Sequence, residues 1–401
     1  YIAPMINAIL VSNAGFDEFT KKISKESIVT SNIFLLNFVK ENNIDVVINQ
    51  WWPVEALDKV RSLCVVVNCL HMEPFKTSEF ENKRWRGKDI IFKLMGSSFY
   101  YYLSRKKSIR YIKHYFPYVD AYIFLAQSFL RQFVDFSGWK KNRPILDFCN
   151  NPLRFSNFID SKDIDNKENI VLFVGRMYEG HKKVSKILNA WHSIEQKYNK
   201  SDWKLILVGD GPDRPLFEKI ANDLCLKNYK FVGFCQPDEY YKKAKIFLMT
   251  STHEGWGMTL VESQQNGVVP VVRDTFSAVH DIIEDNYNGR IIAPDDEETY
   301  VDAIIELMEN NEKLRMMALN GVKTCRNFTI EKVVDKWEII LRNLLKNKKM
   351  SKVFWLTGSS FFDVDERLVP EMVKKYDVFW FVLVQKNSFY NSSVLEQYLK
   401  D

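Results

Sequence analysis

The feature that most constrains this sequence is a polar loop between two short apolar runs. Residues 244–250 read A-K-I-F-L-M-T and residues 268–272 read V-V-P-V-V, and each run has the length of a buried strand. Residues 251–267 between them read S-T-H-E-G-W-G-M-T-L-V-E-S-Q-Q-N-G, a turn followed by a helix-compatible stretch. The pattern therefore predicts a strand, a loop, a helix and a strand, which is the repeating unit of a parallel α/β sheet.

The predicted loop is suited to bind an anion. Gly255 and Gly257 flank Trp256, and glycine lets backbone N–H groups approach a ligand closely. A helix that begins near Met258 directs its first N–H groups, including that of Thr259, and the positive end of its dipole to the same place. We therefore expect this loop to bind a phosphate or a diphosphate.

Two glutamates accompany the predicted phosphate site. Glu254 lies at the carboxyl end of the predicted strand, where ligands of open α/β sheets bind. Glu262 follows about two helical turns later and is expected to face the same side. Carboxylates accept hydrogen bonds from hydroxyl groups, so this pair suits a ligand with a sugar at each end, a nucleotide sugar. Either glutamate alone is also compatible with a solvated helix start.

The composition is that of an ordinary globular protein. The chain has 401 residues, which favours two or three domains, and it is 46% hydrophobic and 27% charged. Its net charge of +5 is too small to indicate nucleic-acid binding by itself. The six cysteines form no C-x-x-C pair, which favours reduced thiols in a cytoplasmic protein. No apolar run has the length needed to span a membrane.

The segment E-G-W-G-M-T-L-V-E, residues 254–262, resembles the E-x7-E signature of retaining glycosyltransferases of the GT-B fold, family 4, or glycosyl transferases group 1. The resemblance implies an α/β protein with two Rossmann-like domains facing across a cleft. It also implies transfer of a sugar from a nucleotide-diphosphate donor to a hydroxyl group, with retention at the anomeric carbon and without a metal or another cofactor. In this family, Glu254 would orient the transferred sugar and Glu262 would hold the ribose.

Two cations follow a second predicted strand, residues 169–174. Gly175 and Arg176 come directly after it and Lys182 a few residues later, which resembles the family's G-R and K-G elements. The resemblance implies that Arg176 and Lys182 neutralise the diphosphate as it leaves. Lys183 stands where the family has glycine, and the loop is one residue longer. The sequence therefore leaves open which of the two lysines contacts the phosphate.

A histidine follows a third predicted strand. Residues 63–70 read L-C-V-V-V-N-C-L and place His71 at the carboxyl end. In the family, a histidine at this place in the first domain faces the anomeric centre of the donor, which makes His71 a candidate catalytic residue. A packed or surface histidine is the alternative.

Residues 83–113 are basic and aromatic. They contain ten lysines and arginines, interleaved with aromatic side chains: Lys83, Arg84, Arg86, Lys88, Lys93, Arg105, Lys106, Lys107, Arg110 and Lys113. This composition is typical of a surface that lies on anionic lipid headgroups, so we expect peripheral binding to the inner face of a membrane. A solvated basic helix is the alternative. A nucleic-acid partner is not expected, because no DNA- or RNA-binding motif accompanies the charge.

The order of the segments differs from that of the family. First domains of the GT-B fold begin with a strand and a glycine-bearing loop, whereas this chain opens with neither at Tyr1, and we find no interpretable motif in residues 1–30. Residues 350–357 predict a strand, Gly358 and Ser359 a turn, and residues 377–384 another strand. We interpret the chain as circularly permuted relative to the family, or numbered as though it were, with Gly358 and Ser359 facing the donor phosphates. A separate domain or a fusion remnant is the alternative.

This interpretation predicts three parts of the chain. Residues 1–165 with 350–401 form an acceptor domain, residues 166–330 form a donor domain, and residues 331–349 form a helix that crosses back to the acceptor domain. The family implies a UDP- or GDP-linked sugar as donor, and a glycan or lipid-linked acceptor in surface polysaccharide or lipopolysaccharide synthesis. An inactive GT-B binding module and a sugar phosphorylase or epimerase remain as alternative functions.

Overall fold

The computed structural model of the protein describes residues 11–12, 35–50, 57–75, 97–141, 143–155, 157–198, 202–345, 352–358, 368, 371–372, 374 and 377–384. Contacts between residues divide the chain into two units. Unit 1 comprises Tyr1–Pro152 and Ile330–Asp401, and unit 2 comprises Leu153–Thr329. Within the described ranges, no helix combines the length and the apolar character needed to cross a membrane.

The described strands of unit 1 form one sheet in which all neighbours are parallel. They are β1 Val11–Ser12, β2 Val46–Asn49, β3 Val65–Leu70, β4 Ala121–Phe124, β5 Ile145–Phe148, β12 Lys352–Gly358 and β13 Asp377–Val384. The order across the sheet is β1-β13-β12-β2-β3-β4-β5. β2 and β4 are buried along their whole length, as expected for strands that are covered on both faces.

Counted from β12, the strand order of unit 1 follows the doubly wound pattern. β13 and β1 lie on one side of β12, and β2 to β5 lie on the other. The order therefore reverses between β12 and β2, which pair from Val353↔Val46 to Leu356↔Asn49. Ligands of such sheets bind beyond the carboxyl ends of the strands at the reversal, and in unit 1 these ends are Asn49 and Gly358.

The described helices of unit 1 are α1 Leu57–Val60, α2 Ser97–Tyr115, α3 Gln127–Ser137 and α13 Ile330–Leu345, and residues 35–41 are also helical. α13 contributes Trp337 and Leu341 to the core that also holds Val46 and Trp355 of the sheet. The rings of Trp337 and Trp355 lie 5.4 Å apart in an edge-on contact. Because α13 shares this core with β2 and β12, it forms part of unit 1.

The sheet of unit 2 is also parallel throughout its described strands. These are β6 Ile170–Val174, β7 Lys204–Val208, β8 Tyr229–Gly233, β9 Ile246–Met249, β10 Val269–Arg273 and β11 Arg290–Ile292. Their order is β11-β10-β9-β6-β7-β8, so the reversal lies between β6 and β9. The strands predicted at residues 169–174, 244–250 and 268–272 are therefore present, with small shifts of their ends.

Helices accompany the strands of unit 2. They are α4 Ser161–Asp165, α5 Glu179–Lys182, α6 Val184–Lys197, α7 Arg214–Asp223, α8 Asp238–Lys243, α9 Met258–Gln265, α10 Val279–Ile282, α11 Glu297–Glu309 and α12 Asn311–Cys325. Trp191 of α6 and Ile304 of α11 are buried in one apolar cluster with Leu205 and Val271 of the sheet. The predicted α/β class is confirmed, with one parallel sheet in each unit.

Candidate functional site

The candidate site of unit 2 lies where the strand order reverses. β6 and β9 are neighbours there, with Val171 paired to Ile246 and Leu172 to Phe247. Two loops leave the carboxyl ends of these strands, one over residues 175–183 and one over residues 250–257. The fold therefore brings Arg176 and Lys182, from the first loop region, to the edge of the sheet that carries Glu254 in the second.

The centre of the site is an ion pair between Lys182 and Glu254. Lys182 Nζ lies 2.6 Å from Glu254 Oε1, and the two side chains are only 13% and 12% exposed. Burial works to raise the pKa of Glu254, but Lys182 and His181, with hydrogen bonds from Lys182 and Ser251, outweigh it and hold this pKa below its ordinary value. Glu254 is therefore a carboxylate at neutral pH and can accept hydrogen bonds from a ligand.

The backbone around α5 decides which lysine points into the site. Lys183 has φ 50° and ψ 46°, the left-handed conformation that glycine adopts most easily. This turn sends the Lys183 amine to Glu179, 3.7 Å away, while Lys182 faces Glu254. Thr250 fixes the turn, because its hydroxyl donates to the carbonyl oxygens of Lys182 at 2.9 Å and Lys183 at 3.0 Å. Lys182 is thus the lysine placed beside the glutamate.

A histidine pair, which the sequence did not predict, lies next to this ion pair. The rings of His181 and His253 are stacked with centroids 4.0 Å apart and planes 22° apart. His181 Nε2 lies 2.6 Å from the carbonyl oxygen of His253 and 3.8 Å from Glu254 Oε1. Burial lowers the pKa of His181, with Lys182 and Arg176 acting in the same direction and Glu254 opposing them. No sequence pattern pairs two histidines 72 positions apart, so the pair becomes visible only in the fold.

The turn after β7 supports the loop that carries Arg176. Gly209 has φ 132°, and a β-carbon there would lie 2.0 Å from the carbonyl oxygen of Gly175. Met177 N donates to the Asp210 carbonyl oxygen at 2.9 Å. The G-D-G-P stretch at 209–212 therefore serves close packing between two loops. Arg176 itself is exposed, and its guanidinium lies 5.9 Å from the ring centre of Tyr178.

The glycine loop leads directly into α9, as the sequence predicted. Gly257 has φ 87° and precedes Met258, the first residue of the helix, and Met258 and Thr259 are half-buried in its first turn. Gly255 is half-buried in the loop before it. The side chain of Trp256 turns inward instead, is 2% exposed and contacts the Phe328 ring, with ring centres 5.1 Å apart. Trp256 can therefore offer a ligand its backbone only.

Glu262 is buried on α9, with 5% of its surface exposed. The hydroxyl of Tyr241 on α8 donates to Glu262 Oε2 at 3.1 Å. Burial and the nearby Glu262 carboxylate raise the pKa of Tyr241 well above its ordinary value, so the phenol keeps its proton and remains a donor. α8 therefore orients the carboxylate that the sequence assigned to a ribose.

His71 belongs to unit 1, where it follows β3. It lines a cavity of about 20 Å³, large enough for about one water molecule, together with Gln50, Asn150 and Trp355. Both ring nitrogens are buried, and burial lowers the pKa of His71 to about 4, so the ring is neutral at neutral pH. Gly358 ends β12, at the carboxyl edge of the same sheet. The predicted phosphate contact Ser359 lies outside the described residues.

The basic segment is described in part. Residues 83–96 lie outside the described ranges, whereas α2 contains Arg105, Lys106, Lys107, Arg110 and Lys113 and no acidic residue. Arg105, Lys106 and Lys113 lie over aromatic rings, and the exposed basic residues of α2 are Arg105, Lys106, Lys107 and Arg110. Across the described part of the chain, no three His, Cys, Asp or Glu residues form a group that could hold a metal ion.

Sequence comparison gives a similarity to one family over part of the chain. Residues 155–324, less than half of the chain, match the model of the family described as glycosyl transferases group 1. A relative from Campylobacter jejuni, GalNAc-alpha-(1->4)-GalNAc-alpha-(1->3)-diNAcBac-PP-undecaprenol alpha-1,4-N-acetyl-D-galactosaminyltransferase, is 30% identical over 189 residues, which are 47% of this chain and 52% of the relative. The chain thus spans about half the length of this relative.

Comparison with solved structures extends the similarity in fold. The apo form of the lipopolysaccharide outer core galactosyltransferase WaaB has a TM-score of 0.58 and 16% identity, covering 82% of this chain and 82% of that one. Anabaena HepE in complex with UDP and glucose has a TM-score of 0.57 and 15% identity, covering 78% of this chain and 81% of that one. These similarities confirm the predicted GT-B architecture of two Rossmann-like domains. Residues 155–324 are thus similar in sequence to the glycosyl transferases group 1, and most of the chain is similar in fold to these two solved structures.

Proposed function

We propose that the protein is a retaining glycosyltransferase of family 4 that moves a sugar from a nucleotide-diphosphate donor to a hydroxyl group of a glycan or lipid-linked acceptor. The observation that carries this proposal is the Lys182–Glu254 pair, 2.6 Å apart at the reversal of strand order in unit 2. Lys182, the glycine loop and the start of α9 are groups that bind phosphate. Glu254, beside them, is a group that binds sugar hydroxyls.

The proposed catalysis depends on electrostatic stabilisation. Departure of the nucleoside diphosphate builds negative charge on its outer phosphate. Arg176, Lys182 and the backbone N–H groups at the start of α9 would receive this charge without moving, and loss of one such preorganised group costs about 10²- to 10³-fold in rate. Glu254 would accept hydrogen bonds from the transferred sugar, and Glu262, oriented by Tyr241, would accept them from the ribose.

We assign no general base to the reaction. In the proposed retaining mechanism, the acceptor attacks the face that the diphosphate leaves, and the departing phosphate oxygen takes the proton of the acceptor hydroxyl. Because Arg176 and Lys182 supply positive charge, the proposal needs no metal ion. His71, neutral at neutral pH, would act as a hydrogen-bonding group near the anomeric centre rather than as a cation.

The proposed donor is linked to UDP or GDP, and the proposed product is a surface polysaccharide or lipopolysaccharide. The presence of UDP in the HepE structure supports a uridine donor. The name of the Campylobacter jejuni relative, which contains PP-undecaprenol, supports a lipid-linked acceptor.

We further propose that the segment order is circularly permuted relative to the family. Support comes from the position of β12 between β13 and β2, which makes it the first strand of a doubly wound order. In this proposal, Gly358 and Ser359 form the loop that follows a first strand and contact the donor phosphates.

A lipid-linked acceptor and the basic surface of α2 together suggest where the protein acts. α2 presents Lys106, Lys107 and Arg110 to the outside, and the cytoplasmic leaflet carries a negative surface potential. We therefore place the protein in the cytoplasm, bound peripherally to the inner face of the membrane.

The test is a transfer assay with labelled UDP- and GDP-sugars on lipid-linked acceptors. We expect Glu254→Gln and Arg176→Ala each to lower transfer by at least about 10²-fold in a protein that stays folded. Lys219→Ala, on the exposed side of α7, is the matched control and should transfer like the wild type. Wild-type turnover in the Glu254 or Arg176 variant would refute the assignment.

The same assay separates the alternatives. A binding module would bind the sugar nucleotide but release no nucleoside diphosphate. A phosphorylase would require inorganic phosphate, and an epimerase would convert the sugar without an acceptor. The anomeric configuration of the product, measured by NMR, tests retention.

A further inference from the structure

The His181–His253 pair has a geometry that leaves one imidazole nitrogen available for a proton. A carbonyl oxygen can only accept, so His181 Nε2, 2.6 Å from the His253 carbonyl oxygen, carries a hydrogen. The added proton of an imidazolium would then be held at Nδ1. The His181 side chain is 27% exposed, so a proton can reach it from solvent. The backbone is held as well, because Thr252 N donates to the His181 carbonyl oxygen at 2.8 Å.

The charged groups around His181 come from three segments. Lys182 neighbours it on α5, Arg176 acts on it from the loop after β6, and Glu254 and His253 face it from the loop after β9. The Glu254 carboxylate is already paired with Lys182 at 2.6 Å. Burial and the two cations therefore hold the pKa of His181 below its ordinary value, against the attraction of one compensated carboxylate and the hydrogen bond to the His253 carbonyl oxygen.

A diphosphate reverses this balance. The diphosphate brings negative charge to Arg176 and Lys182, the two cations that lower the pKa of His181. An added anion favours the charged form of a nearby base, here the imidazolium of His181. We propose that His181 takes up a proton from solvent when the diphosphate of the donor binds, so that a further cation joins Arg176 and Lys182 before the sugar is transferred. This inference rests on the proposed function, because it requires the diphosphate to occupy the site of Arg176 and Lys182.

The proposal has a thermodynamic consequence with a definite sign. If the bound state holds more protons at His181 than the free state, donor affinity rises as pH falls. For one titrating group the gain is at most about tenfold per pH unit. The window lies between the His181 pKa of the free protein, which is below the ordinary value of about 6.5, and that of the complex. His181 is thus a positioning and charge-supplying residue rather than a proton donor to the substrate.

The test is calorimetric titration of the full chain with UDP-glucose and GDP-mannose, in two buffers of different ionisation enthalpy, between about pH 5.5 and pH 7. Sugar nucleotides are suitable because their diphosphate is a diester and lacks the phosphate proton that titrates near pH 6 in a monoester. The difference in apparent enthalpy between the buffers counts the protons taken up. We expect uptake of up to one proton per bound donor and an affinity that increases towards low pH.

Two variants isolate His181. His181→Phe keeps an aromatic ring on His253, and His181→Asn keeps an N–H donor for the His253 carbonyl oxygen; both should bind the donor with proton uptake close to zero. His280→Asn is the control, because His280 is exposed, pairs with Asp274 at 2.9 Å and should leave the uptake unchanged. Binding with equal uptake in the wild type and both His181 variants would overturn this inference alone. Failure of the wild type to bind any sugar nucleotide would overturn the proposed function and the inference with it.

Discussion

Lys183 holds a backbone conformation that side chains other than glycine adopt at a cost. Its φ of 50° and ψ of 46° lie in the left-handed region, between the end of α5 and the start of α6. The conformation costs about 1 kcal/mol for a residue with a β-carbon. The sequence resemblance puts a glycine at this place in the family, and glycine adopts this conformation without the cost of a β-carbon. Lys183 adopts the strained conformation, and the Lys182 amine lies 2.6 Å from the Glu254 carboxylate.

This geometry predicts different outcomes for two substitutions of Lys183. Lys183→Gly and Lys183→Ala both remove the amine that lies 3.7 Å from Glu179, but only glycine relieves the strain. We expect the Gly variant to exceed the Ala variant by about 1 kcal/mol in free energy of unfolding, measured by urea denaturation.

The same two variants test which lysine binds phosphate. Both should bind UDP- or GDP-sugars like the wild type, whereas Lys182→Ala should lose binding. Loss of donor binding in Lys183→Ala, with binding retained in Lys182→Ala, would reverse the assignment of the two lysines.

At the scale of elements, the site depends on two loops that pack on each other. The turn after β7 contacts the loop after β6 so closely that a β-carbon at Gly209 would lie 2.0 Å from the Gly175 carbonyl oxygen. The Gly175 oxygen belongs to the backbone, and a β-carbon is fixed directly to the backbone of its own residue, so neither atom can rotate away. The position of Arg176, next in sequence to Gly175, therefore depends on an element that does not itself reach the proposed ligand.

Gly209→Ala should accordingly weaken both stability and donor binding. The expected cost is about 2 kcal/mol or more in free energy of unfolding, because a close backbone contact adds to the strain at φ 132°. Gly138→Ala is the control: its φ is 61°, and the added carbon would meet no described atom within 4 Å. The control variant should lose about 1 kcal/mol in free energy of unfolding and keep its affinity for the donor. Equal behaviour of the two variants would mean that the loop contact does not position Arg176.

Sequence patterns predicted the elements of the site better than its side-chain contacts. Apolar runs of strand length indicate β6 and β9, and ligands of parallel sheets bind at the carboxyl ends of strands, so these patterns alone place Glu254 at the site. The inward turn of Trp256 could not be predicted, because it depends on Phe328, which lies 72 positions away in sequence and packs beside it. The stacking of His181 on His253 likewise depends on the conformations of two loops rather than on a local pattern.

At the scale of the whole molecule, charge is distributed unevenly along the chain. The net charge at neutral pH is +5, and α2 alone contains five lysines and arginines and no acidic residue. The remainder of the chain is therefore balanced between positive and negative side chains. The outer face of α2 also exposes 58% of Tyr111 and 43% of Tyr102. Exposed aromatic side chains among basic ones are typical of a helix at the interface between water and anionic lipid. This favours a membrane surface on α2 over a helix that is only solvated.

The proposed membrane contact of α2 predicts binding to vesicles that depends on charge. The protein should co-sediment with phosphatidylglycerol vesicles and not with phosphatidylcholine vesicles, and added salt should release it, because screening weakens the attraction. Each basic residue near an anionic surface contributes about 1 kcal/mol, so Lys106→Glu with Arg110→Glu should weaken binding by more than about tenfold.

Charge reversal elsewhere provides the control for this prediction. Lys162→Glu with Lys219→Glu changes the net charge by the same amount at residues 78% and 75% exposed in unit 2. If attraction were a property of net charge alone, both double variants would lose binding equally. We expect the control pair to bind like the wild type, because the Debye length of about 8 Å at physiological salt confines the attraction to the face that touches the lipid. Equal loss in both double variants would contradict a membrane surface on α2 and leave non-specific attraction as the cause.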